Sequence, residues 1–98
     1  MSVRVTARFR VAEDRLDEVL QAIEAFLVHT GTEPGTLRYE SLRSIEASTA
    51  FLHVMEFADE AAEQVHASSD AVEAFTGILY PACVEGPVFE RWGEVSPS

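Results

Sequence analysis

From Val3 to Val11 apolar and polar positions alternate strictly. Val3, Val5, Ala7, Phe9 and Val11 share one face, and Arg4, Thr6, Arg8 and Arg10 share the other. A period of two is that of a strand with one buried side, so the spacing predicts a first strand here. The period then changes. Leu16, Val19, Leu20, Ile23, Phe26 and Leu27 recur at helical spacing, and Glu13 and Asp14 place negative charge where a helix N-terminus favours it, which predicts a helix to about Thr30. Gly31 is expected to end that helix in the left-handed conformation. Glu33-Pro34-Gly35 puts Pro and Gly at the central positions of a type II turn.

Alternation returns over Thr36 to Arg43, with Leu37, Tyr39 and Ser41 on one side and Arg38, Glu40 and Leu42 on the other. Ser44 to Ser48 reads as a polar hairpin connection into a third strand, Thr49 to Phe57. Asp59 is suited to cap a short helix through about Ala67. Ser69 or Asp70 is suited to cap another, carrying Val72, Phe75, Ile78 and Leu79 and stopped by Pro81. A last strand, Val84 to Val95, begins near Pro87, a residue tolerated at a sheet edge.

The order β-α-β-β-α-β, with its second helix broken, predicts an α+β, ferredoxin-like fold: one antiparallel sheet with helices on one face. Residues 1–95 are read as a single domain and 96–98 as a tail. The uncovered sheet face needs a partner, and two such sheets packed face to face bury both, so a homodimer forming a dimeric α+β barrel is expected.

Composition narrows the function. The 98 residues carry a formal charge of −10 with no basic stripe, which makes nucleic acid and anionic membrane poor partners. All seven positive charges are Arg, so Schiff-base chemistry and a Lys-dependent phosphate loop are excluded. The lone Cys83 has no partner for a disulfide or a Cys-rich zinc site. With no membrane-length apolar run and no signal-peptide layout, a cytoplasmic location is expected.

The stretch Glu33-Pro34-Gly35-Thr36-Leu37-Arg38-Tyr39-Glu40 is similar to the segment leading into the second strand of the antibiotic-biosynthesis monooxygenase family. The run from Phe51 through Phe57, Asp59, Glu60, Ala61 and Ala62 to His66, then Ser69 and Phe75, resembles the same family without a gap. The resemblance implies a dimeric ferredoxin-like barrel and, as in several members, oxidation of polycyclic or quinol-type substrates by molecular oxygen without metal or flavin. Two positions depart from the pattern: Met55 stands where many members have an acidic residue, and Ala71 where a second His is often found. The chain also lacks the Asn of the haem-degrading branch.

Cofactor-free oxygenation needs a dry pocket, a base for a phenol or hydroquinone, and donors for the resulting anion. His53 and His66 are the candidate bases, Tyr39 and Trp92 the orienting donors, Arg8 or Arg43 the charge stabilisers, and Met55, Phe57 and Phe75 pocket walls. His53 shares its face with Phe51, Met55 and Phe57, where desolvation keeps an imidazole neutral. The competing reading makes His53 a packed core residue and leaves His66 and His29 bonded to helix-end carbonyls. The three His residues lie on separate elements, so no metal site is expected. A dimeric ligand-binding domain without catalysis, or an isomerase or signal-molecule processing enzyme on the same scaffold, stand as alternatives.

Overall fold

The alternating N-terminal segment forms strand β1 (Val3–Val11), and a single 3-10 turn over Glu13–Arg15 leads into helix α1 (Leu16–Thr30). Strands β2 (Thr36–Arg43) and β3 (Ala50–Phe57) follow, then helices α2 (Glu60–Ala67) and α3 (Asp70–Ala82) and strand β4 (Cys83–Trp92). A computed structural model describes residues 2–96. The last two residues of the expected tail, Pro97 and Ser98, lie outside the described residues.

The strands form one antiparallel sheet in the order β2-β3-β1-β4, the ferredoxin-like arrangement. Because side chains alternate across a strand, Val5, Ala7, Phe9 and Val11 of β1 and Phe51, His53, Met55 and Phe57 of β3 face the same way, and all are buried. The helices cover this face. Val19, Ile23 and Phe26 of α1 and Phe75 and Leu79 of α3 pack on Phe9, Val11 and Phe51, while Ala62 of α2 packs on Val5, Met55 and Phe57. Burying a side chain such as Phe57 contributes about 1.5–3 kcal/mol.

The expected caps form. Asp59 accepts a hydrogen bond from the Ala62 backbone N–H at 2.8 Å, and Ser69 accepts one from Val72 at 3.2 Å. Each satisfies an amide that the first helical turn otherwise leaves open.

The structure corrects four local expectations. Glu13 and Asp14 sit in the 3-10 turn ahead of α1. Gly31 has φ −64° and ψ −16°, so α1 ends in right-handed geometry, its amide bonding the Leu27 carbonyl. Gly35 has no positive φ either, which rules out a type II turn. Its role is close packing: a Cβ at this position would lie 2.5 Å from the Cβ of Ala62. Pro81 falls inside the last turn of α3, and the chain leaves the helix at Cys83.

Register explains two further shifts. One extra residue of β2 lies between Thr36 and Arg38 where they face Phe57 and Glu56, so Leu37 is turned out to solvent and does not share the Tyr39 face. The β1–β4 pairing is interrupted between Arg8 and Arg10, beside Gly86. Gly86 has φ +73°, and a Cβ there would meet the Arg8 carbonyl oxygen at 2.5 Å, so a bare backbone is required.

Candidate functional site

Between the helices and the covered sheet face lies a cavity of about 350 Å³, lined mainly by apolar side chains. β1 and β3 supply its floor with Val5, Ala7, Phe9, Met55 and Phe57, and the helices supply Phe26, Phe75 and Leu79. Tyr80, Phe89 and Arg91 line it and are exposed, marking the side on which it opens. Arg91 makes a two-pronged ion pair with Glu63 of α2, at 2.8 and 3.0 Å, across β4 and α2.

Three polar rings converge in this apolar setting. His53 is 1% exposed. The Tyr39 hydroxyl lies 2.7 Å from its Nδ1 and the Ser41 hydroxyl 2.9 Å from its Nε2, so both ring nitrogens are engaged. The arrangement follows from register: Ser41 faces His53 directly, and Tyr39 is two residues along the same face of β2. Burial lowers the His53 pKa from 6.5 to about 4, which keeps the imidazole neutral near pH 7. Burial, aided by the nearby Glu33 carboxylate, pushes the Tyr39 phenol well above its ordinary value, so Tyr39 stays protonated and able to donate.

His66, 8% exposed, also lines the cavity, with its ring 5.8 Å from that of Tyr39 and 4.9 Å from that of Phe57. Its Nδ1 lies 2.8 Å from Oε1 of Glu33, a carboxylate only 10% exposed in the turn before β2. The same oxygen accepts the Thr36 hydroxyl at 3.0 Å, and His29 Nε2 lies 3.6 Å from Oε2. His66 and His29 thus face a shared carboxylate and not the helix-end carbonyls. An ionised carboxylate accepts and cannot donate, so Nδ1 carries the hydrogen and Nε2 of a neutral His66 carries the lone pair. Nε2 has no hydrogen-bond partner among the described residues and is not sealed off from accessible space.

Of the residues singled out from sequence, the fold brings His53, His66, Tyr39, Met55, Phe57 and Phe75 to this one cavity. Arg8 and Trp92 are not part of it. Arg8 lies on the polar side of β1, and pairing of Trp92 with Arg4 turns the indole to that same side, where Nε1 donates to the Thr6 hydroxyl at 3.0 Å. Arg43 points over Phe51 and bonds the Ser48 carbonyl at 2.6 Å, at the far end of the hairpin. Sequence reading missed Glu33, Ser41 and Arg91. Among the described residues, no group of three or more His, Cys, Asp or Glu side chains is placed to hold a metal ion, and no helix is long and apolar enough to cross a membrane.

Comparison with solved structures finds the same fold. An antibiotic biosynthesis monooxygenase superposes with a TM-score of 0.91 at 18% identity, over 96% of this chain and 99% of that one. A Mycobacterium tuberculosis protein gives a TM-score of 0.92 at 15% identity, over 100% and 99% of the two chains. A Shewanella oneidensis protein gives 0.83 at 25% identity, over 93% and 88%. No curated protein matches the chain. The family pattern described as antibiotic biosynthesis monooxygenase matches residues 2–77, most of the length, and the chain belongs to that family.

Proposed function

We propose that this protein is a cofactor-independent monooxygenase that oxidises a small or polycyclic hydroxylated aromatic, of the phenol or quinol type, with molecular oxygen as co-substrate. The observation that carries this reading is the aromatic-walled cavity in which the protonated Tyr39 hydroxyl is accompanied by two histidines. Apolar walls suit a flat aromatic body, and the few polar groups suit one hydroxylated edge.

In the proposed reaction His53 or His66 takes the phenolic proton, and Tyr39, its oxygen accepting from His53 Nδ1–H, gives its one O–H to the resulting anion. The phenolate passes an electron to oxygen, and the two radicals join at an open ring carbon para to the oxygen. The proton held by the base returns to the peroxide, and loss of water leaves a quinone. Phenol plus O2 gives quinone plus water, with all four electrons coming from the substrate.

Family membership and the helix-free sheet face also support a homodimer built by pairing that face, and the lone Cys83 suits a reducing, cytoplasmic compartment. One observation favours a second reading, a ligand-binding domain without turnover: both nitrogens of His53 are already tied.

Oxygen uptake by metal-stripped protein, over a panel of hydroquinones and hydroxylated polycyclic aromatics, separates the two. Saturable uptake that survives chelation is expected. Ligands that raise the melting temperature with no uptake above the uncatalysed rate would replace this reading with the binding domain.

A further inference from the structure

Glu33 belongs to the turn between α1 and β2, yet its carboxylate is nearly buried and reaches across to α2. Such a group is costly to desolvate unless its oxygens are bonded, and here Oε1 takes both His66 Nδ1 and the Thr36 hydroxyl. The contact therefore fixes the orientation and tautomer of His66. It leaves Nε2 as the unengaged nitrogen on a ring that lines the cavity.

We infer that Glu33 and His66 form the proton-accepting pair of the cavity, with His66 as the base and Glu33 as its positioning residue, while His53 serves to hold Tyr39. This assignment rests on the reading of the cavity as the substrate site. Both nitrogens of His53 are occupied, so that ring can take a substrate proton only by giving up a partner. His66 has a free lone pair. When it takes the proton, the imidazolium forms beside a carboxylate, and charge separation in a poorly solvated site is offset within about 3 Å. The other charged or titratable groups lining the cavity with His66 are Tyr39 of β2, His53 of β3, Tyr80 of α3, and Glu63 of its own helix, which is engaged by Arg91 of β4, while His29 of α1 shares the Glu33 carboxylate.

The pair can be tested without turnover. Under argon, 4-nitrophenol is titrated by absorbance in the presence of saturating wild-type protein and of the E33Q, E33D, H66A and H53A variants. Histidine side-chain nitrogen NMR reads the tautomers of the same samples, and melting temperatures show that each is folded. Wild type is expected to ionise the bound phenol below its midpoint in buffer, with His66 protonated on Nδ1 before proton uptake. E33Q is expected to raise that midpoint by about one unit, tenfold in proton affinity, to approach H66A, and to lose the single tautomer. E33D, which keeps the carboxylate, is expected to recover part of the shift, and H53A, which removes the partner of Tyr39, to keep the single Nδ1-protonated tautomer of His66.

A wild-type midpoint equal to that in buffer, an E33Q variant that behaves as wild type, or an H53A variant that loses the single His66 tautomer would each overturn the assignment. If the phenol is ionised as expected and no substrate consumes oxygen in a separate uptake assay, the pair stands and the oxygenation reading falls.

Discussion

The hydroxyl of Tyr39 lies 2.7 Å from Nδ1 of His53, and Ser41 holds the opposite nitrogen of the same buried ring. The three side chains come from adjacent strands, so the sheet itself sets the direction in which Tyr39 presents its phenol. Tyr39→Phe removes that hydroxyl and leaves a buried ring nitrogen unpaired. A loss of about 1–3 kcal/mol in stability by urea denaturation is expected. If Tyr39 holds the developing anion, turnover in the oxygen-uptake assay is expected to fall by about 100-fold or more.

The same buried imidazole makes stability depend on pH. His53 titrates near 4 in the folded protein against 6.5 in an unfolded chain, so between these values the unfolded state binds more protons. Stability is then fully present above about pH 6.5 and lost as pH falls toward 4, by on the order of 3 kcal/mol. Urea midpoints across this window are expected to fall in wild type, and His53→Gln is expected to remove that part of the slope.

Gly35 packs its Cα side against Ala62, where a Cβ would sit 2.5 Å from the alanine Cβ. Gly35→Ala is expected to cost about 1–3 kcal/mol by forcing the turn off α2. Adding Ala62→Gly opens the space, so the double variant is expected to be more stable than the sum of the two single changes requires. Thermal melts of the four proteins check this.

Arg8 and Trp92 lie on the sheet face opposite the cavity. Arg8→Ala and Trp92→Ala are expected to leave the affinity for an aromatic ligand unchanged in a calorimetric titration. Trp92→Ala is expected to weaken self-association in sedimentation, because it removes a large half-exposed side chain from the face proposed to pair.

Much of the fold could be read from the chain because one covered sheet face imposes a period of two, visible in Val3–Val11 and Phe51–Phe57, and because Asp59 and Ser69 are side chains that cap helices. His53 stood out for the same reason, as a titratable ring among apolar neighbours. Its partner Ser41 did not, since the pairing depends on the β2–β3 register. Glu33 reads along the chain as one more charge in a turn, and its reach to His66, 33 residues away, is a product of α2 folding back over that turn. Trp92 reads along the chain as an orienting donor of the pocket, but the side it faces depends on the register of β4 against β1, which is broken beside Gly86.

Turnover under isotopically labelled oxygen gas, with the metal-stripped protein and a hydroxylated aromatic that supports uptake, tests the central claim most directly. One labelled atom in each quinone product and the other in water is the expected result, abolished in His66→Ala. A product with no labelled oxygen, or turnover unchanged in His66→Ala, would contradict oxygenation in this cavity with His66 as the base.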